Sequence, residues 1–211
     1  MIYVNGLYRS GSTVIYNIVK HLIVEGLVKD SVLKQHEHWI TRPLHRSDLN
    51  IYSYRDVRTA TASYMRKRGY TESSIAHPSV RSSSVKDYML FLIEVDTKTR
   101  NRFEREHLNH LILRYEEDVL NIEQGIRKIL QSLNLLLPEE IVQILVECHN
   151  LGAVKRYVDT IVEKEDKHSM YHPNHVSLDK INFRDYLSDD SWDNPVILNW
   201  LQEYGYDQQL L

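Results

Sequence analysis

Gly6 and Gly11 bracket the run Leu7-Tyr8-Arg9-Ser10, and Ser12 and Thr13 follow at once. Glycines at that spacing, ahead of hydroxyl-bearing residues, make an anion-binding turn. Backbone N–H groups point into it, and a helix starting there adds the positive end of its dipole. A loop that holds a nucleoside triphosphate carries a lysine directly after the second glycine, where it reaches the β- and γ-phosphates. Here that place is Ser12, and the basic residue is Arg9, inside the turn. The expected chemistry is anion binding by Arg9, Ser10, Gly11, Ser12 and Thr13, and kinase or ATPase chemistry is disfavoured.

Further residues could act with that turn. Lys34 and His36 stand in "LKQH", a cation beside an imidazole that titrates near pH ~6.5 and so serves as a base at neutral pH. Arg55 and Ser63 are spaced along "RDVRTATAS", and Tyr115 closes the apolar run "HLILRY". Each also has a plainer reading: a strand-to-helix turn with a serine N-cap, a solvated helix face, a core tyrosine. His36 with His38, and His172 with His175, leave a metal-dependent hydrolase open, although no Asp, Glu or Cys joins either pair in a recognised ligand spacing.

The elements that must position these residues follow from periodicity. Met1 to Val4 reads as a short buried strand, and Val14, Ile15, Ile18, Val19 and Leu22 recur at helical spacing after Ser12. "SVLKQH" predicts a second strand and Leu49 to Tyr54 a stronger one. "RDVRTATASYMRKRG" predicts a helix opened by Asp56 and stopped by Gly69. Tyr70 to Ser84 is polar and reads as a mobile loop bordering an acceptor pocket. A long amphipathic helix then covers Ser84 to His107, "HLILRY" is another strand, and helices are expected over Asp118 to Leu133 and Pro138 to about Lys164. A loop around "HSMYHPNHVS" and a helix from Pro195 to Tyr204 finish the chain. Strands alternating with helices predict an α/β fold: one three-layer, P-loop-like domain over residues 1–211, with a central parallel sheet flanked by helices and a helical C-terminal part.

Composition narrows the partners. The chain has 211 residues and a formal net charge of -3, which gives no bulk attraction to nucleic acid or to an anionic membrane. The apolar stretch "VIYNIVKHLIVEGLV" is interrupted by Lys20, His21 and Glu25 and is too short to span a bilayer. The single cysteine, Cys148, fits a reducing compartment, and "MIYVNG" has no basic n-region, so a cytoplasmic location is expected.

"YRSGST" followed by a helix resembles the 5′-phosphosulfate loop of the cytosolic-type sulfotransferases, usually lysine-Ser-Gly-Thr-Thr. "YSYRDVRTATAS" resembles the family's 3′-phosphate motif, in which an arginine precedes a serine at the interval kept by Arg55 and Ser63. "LKQH" resembles the segment with the family's lysine and catalytic histidine, and "RYEED" the Lys-Tyr-Glu-Asp segment whose tyrosine lies by the adenine. The matches occur in the family's order and end at Asp118; the helical remainder is only loosely similar.

The resemblance implies transfer of a sulfuryl group from 3′-phosphoadenosine 5′-phosphosulfate (PAPS) to a hydroxyl or amine of a small-molecule or glycan acceptor, leaving the bisphosphate PAP. It gives His36 the role of base and Arg9 and Lys34 that of stabilising the transferring group. Ser10, Gly11, Ser12 and Thr13 fall at the 5′-phosphate, Arg55 and Ser63 at the 3′-phosphate, and Tyr115 at the adenine. The chain departs from the pattern at Arg9, a lysine in the family; at Val14, often tryptophan; and at Val57, usually proline. The family's C-terminal Arg-Lys-Gly loop has as its nearest match "HVSLDKINFRDYL", with Lys180 and Arg184. That weak match leaves a nucleotide-binding regulator without turnover as a further alternative.

Overall fold

Among the described residues four apolar runs form parallel strands: β1 (Ile2–Gly6), β2 (Val32–Lys34), β3 (Leu49–Tyr54) and β4 (His110–Arg114), ordered β2-β1-β3-β4. Val4 stands opposite Lys34 and Ile51, Gly6 opposite Ser53, and Tyr54 opposite Arg114. Parallel neighbours need long crossovers, and the helices supply them. In chain order these are α1 (Ser12–Val24), α2 (Val57–Arg68), α3 (Val85–Arg105), α4 (Ile122–Ser132), α5 (Glu139–His149), α6 (Leu151–Asp159), α7 (Asp189–Trp192) and α8 (Pro195–Glu203). The structure, a computed structural model, describes residues 1–34, 44–77, 80, 84–161, 169–171 and 181–206. The expected α/β class, a central parallel sheet flanked by helices, is what forms.

The chain divides into two units. The first comprises Met1–Gly6, Ser10–Tyr54 and Arg102–Lys180, and contains the sheet. Strand alternation sends Ile2, Val4, Leu49, Ile51 and Leu113 to one face. There they join Val14, Ile15, Ile18 and Leu22 of α1, Ile126 and Ile129 of α4, and Val142 and Leu145 of α5 in one core. Each such side chain contributes about 1.5–3 kcal/mol on burial.

The second unit comprises Leu7–Arg9, Arg55–Asn101 and Ile181–Leu211. Asp56 opens α2 by accepting the Arg58 N–H at 2.9 Å, and Gly69, with φ 67°, closes it as expected. Arg58 is fully buried. Its Nη2 donates to Asp56 at 2.7 Å and to the Tyr206 carbonyl at 3.0 Å, and its guanidinium lies 4.4 Å from the Phe183 ring centroid. A buried cation with both a carboxylate and an aromatic face has its desolvation offset, so Arg58 pins the C-terminal segment to α2.

Two helices depart from expectation. Instead of a helix from Asp118, a π-helical turn covers Tyr115–Val119 and α4 starts at Ile122. The cause is the buried Asp118 carboxylate, which accepts the Arg114 N–H at 2.8 Å and lies 2.7 Å from Lys128 Nζ, folding the turn back on the strand end. The expected helix from Pro138 breaks into α5 and α6 at Asn150. That residue is extended (ψ 153°), and its side chain accepts the Ala153 N–H at 2.9 Å as an N-cap. Pro138 itself is the residue before α5 rather than its first-turn residue.

Candidate functional site

Because the strands are parallel, the residues after β1, β2, β3 and β4 all leave from carboxyl ends. β1 has β2 on one side and β3 on the other, and it is outside the carboxyl ends at such a reversal of strand order that α/β sheets bind ligands. Lys34 ends β2, Arg55 follows β3, and Tyr115 follows β4.

The turn after β1 is built by close contact. A Cβ on Gly6 would lie 2.3 Å from Ser53 Oγ and 2.6 Å from Ser10 Oγ, so only glycine lets those hydroxyls bond to each other at 2.7 Å. Ser10 is fully buried, and its side chain braces the loop against β3. Gly11 has φ 84°, and a Cβ there would lie 2.7 Å from Val119 Cγ1 and 3.2 Å from Tyr115 Cδ2. Tyr115 therefore borders the loop, held by the turn that Asp118 fastens. Gly11 is also the N-cap of α1, so the serine cap considered for this turn does not form, and no side chain caps the first turn. Lys34 Nζ donates to the Thr13 hydroxyl, bringing the "LKQH" cation onto the first turn of α1.

Within the second unit Arg9, Arg55 and Ser63 come together. Arg9 has φ 66°, a left-handed conformation that costs a non-glycine residue about 1 kcal/mol or more and concentrates at functional sites. Arg55 Nη1 donates to its carbonyl at 3.2 Å, and Arg9 Nε donates to Ser63 Oγ at 3.0 Å. Arg55 and Ser63 are both buried, at 8% and 3% exposure, so these polar groups are shielded from bulk water, where charge-assisted bonds to a phosphate are strongest.

Arg184 sits in a short 3-10 turn with its Nη1 3.6 Å from Asp189. His36, His38, His172, His175 and Lys180 lie outside the described residues. Among the described residues no group of His, Cys, Asp and Glu could hold a metal ion, and no helix is long and apolar enough to cross a membrane.

One feature of the first unit escaped the sequence reading. A cavity of about 350 Å³ is lined by Asn17, His21 and Val24 of α1, His149, and Tyr157 and Tyr171 among others. His21 Nδ1 and His149 Nε2 are 3.0 Å apart. Burial, and then His21, push the His149 imidazole down to about 4. Asn17 Nδ2 donates to the carbonyls of Thr13 and Ser169, both at 2.8 Å, tying this region to the first turn of α1. Nothing in the local sequence pairs imidazoles separated by 128 positions.

Solved structures decide the architecture. The crystal structure of mouse sulfotransferase SULT7A1 complexed with PAP superposes with TM-score 0.59 at 12% identity, covering 98% of this chain and 88% of that one. The chain has the sulfotransferase fold. Retinol dehydratase, crystallised with androsterone and the inactive cofactor PAP, is similar at TM-score 0.66 and 14% identity, with 96% of this chain and 79% of that one covered. Sequence comparison matches no family model and no curated protein. At these identities the likeness is one of fold, with few residues in common.

Proposed function

We propose that residues 1–211 act as one sulfotransferase-like domain that transfers a sulfuryl group from PAPS to an acceptor hydroxyl or amine. The observation that carries this reading is the convergence of Arg9, Arg55 and Ser63, in a chain whose structural neighbours were crystallised with PAP. Their donors suit a phosphate monoester: Arg55 offers a planar fork, Arg9 a second cation, and Ser63 a hydroxyl.

PAPS supplies an activated sulfuryl group. In this reading Arg55 and Ser63 hold the 3′-phosphate, which separates the donor from ADP-like nucleotides. The backbone of Ser10 and Gly11, with the hydroxyls of Ser12 and Thr13, holds the 5′-phosphate at the uncapped start of α1. Tyr115 packs by the adenine. Lys34, already on Thr13, and Arg9 neutralise the oxygens between phosphorus and sulfur as charge builds on the leaving phosphate. His36 takes the acceptor's proton while the acceptor oxygen or nitrogen bonds to sulfur and the sulfur–phosphate oxygen bond breaks. Positioning and fixed charge do most of this work, as in phosphoryl transfer. The lone thiol, Cys148, suits a cytoplasmic setting.

The test is transfer of radiolabelled sulfate from PAPS to a panel of phenol, alcohol, sugar and amine acceptors in EDTA. Label in any acceptor supports the reading. PAP binding with no label transferred anywhere favours the regulator, and activity that depends on added zinc or manganese favours the hydrolase.

A further inference from the structure

The cavity of about 350 Å³ in the first unit lies along the second half of α1, and no step of the proposed transfer uses it. Its volume is at the small end for ligand sites, which run to about 300–1,000 Å³. At about 1.5 Å of rise per residue, His21 stands about 12 Å along the helix from Thr13, so the cavity is separate from the anion turn.

The walls are apolar and partly open. Val154 is buried, but Val24 is 71% exposed and Tyr157 46%, so two large side chains of the lining still face water. A ligand's hydrocarbon would cover what the fold leaves wet, and that burial is favourable.

Charge fixes the other end. Among the described lining residues Lys20 is a cation and none is a carboxylate. Glu25, the acidic group by the pair, holds its carboxylate 3.9 Å from His21 Nε2, beyond hydrogen-bond reach. Asn17 is already committed, because its amide donates to the carbonyls of Thr13 and Ser169. His21 Nδ1 and His149 Nε2 face each other at 3.0 Å, and the His149 ring, pushed down to about 4 by burial and then by His21, is neutral at neutral pH. A pair joined in this way spends one N–H between the rings and keeps at least one at an outer nitrogen. One lysine with neutral donors suits a single negative charge. A doubly charged phosphate would be left half neutralised beside an apolar wall.

We propose that this cavity binds a small straight-chain carboxylate, whose head takes hydrogen bonds from Lys20 and the His21–His149 pair and whose hydrocarbon packs on Val24, Val154 and Tyr157. The site does not depend on the sulfuryl-transfer reading.

The experiment is titration calorimetry in EDTA with decanoate, kept below its micelle-forming concentration, and with decyltrimethylammonium, the same chain on a cationic head. Wild type, Lys20→Met and Val24→Asp are compared, each with and without PAP. Decanoate should bind wild type one per chain, equally with and without PAP, and at least about tenfold more tightly than the cation does. Lys20→Met removes the charge and Val24→Asp adds a repelling one; each should raise the decanoate constant at least about tenfold and leave the PAP constant unchanged. Val24 is exposed, so its variant keeps the test open if Lys20→Met fails to fold. No saturable decanoate binding, equal binding of the two heads, an unchanged constant in either folded variant, or displacement of decanoate by PAP would overturn the proposal. Absence of PAP binding with decanoate binding intact would overturn the nucleotide reading and leave this site standing.

Discussion

Arg9 donates its Nε–H to the hydroxyl of Ser63, 54 positions further along the chain, across 3.0 Å. With Arg55 on the Arg9 carbonyl, the loop's cation is held at both its backbone and its side chain. This explains how an arginine tolerates φ 66°: the surrounding bonds over-determine a conformation that the residue alone would leave. It also places both cations and the serine of the proposed anion site in one cluster before any ligand arrives, which lowers the ordering cost of binding.

Removing Arg55 should therefore weaken PAP most. Arg55→Ala is expected to raise the PAP dissociation constant about 10–100-fold, the worth of a charge-assisted bond of about 1.5–3 kcal/mol. Arg55→Lys, which keeps the charge without the fork, should recover only part of that. Isothermal titration reads both, and an unchanged constant in Arg55→Ala would take the residue out of the site.

Gly11→Ala and Gly26→Ala form a matched pair. Both glycines have positive φ, 84° and 70°, but an added Cβ meets Val119 at 2.7 Å in the first and nothing within 4 Å in the second. Both variants carry the backbone penalty of about 1 kcal/mol. Only Gly11→Ala adds overpacking, about 1–3 kcal/mol more. Urea unfolding midpoints should separate them in that order, and PAP binding should fall only for Gly11→Ala.

His149 predicts a pH dependence. Its imidazole titrates at about 4 in the folded chain against an ordinary 6.5, so between those values the unfolded chain binds more protons. The contribution is present above pH 6.5, shrinks as the pH falls, and is gone below about 4. Its full size is about 3 kcal/mol. His149→Gln should flatten the fall of the urea midpoint across this window, and equal slopes in the two proteins would remove His149 as the cause.

His36→Gln tests the base. The expected result is a loss of roughly 10²–10⁴-fold in kcat with the PAP constant nearly unchanged. Full activity in the variant would assign proton removal elsewhere.

What the sequence made legible was local. Glycine spacing located the loop, helical periodicity located α1, and Asp56 and Gly69 marked the ends of α2, because turns and caps are decided by neighbours in the chain. What it hid depends on distant partners. Asp118 folds a turn that periodicity read as helix, and Asn150 breaks α5 from α6 with its side chain as cap. No local pattern marks Arg58, which is fully buried and donates to the Tyr206 carbonyl 148 positions away.

The central claim is that this chain holds a nucleotide with a 3′-phosphate through fixed cations and needs no metal to do so. The most direct measurement is the melting temperature in EDTA with PAP, compared with ADP and Mg²⁺. PAP at about a hundredfold its dissociation constant should stabilise the fold by about 2.7 kcal/mol. For a chain of this length that is a rise of about 5–10 °C, while ADP with Mg²⁺ does much less. Equal shifts with the two nucleotides, or none with PAP, would contradict the account.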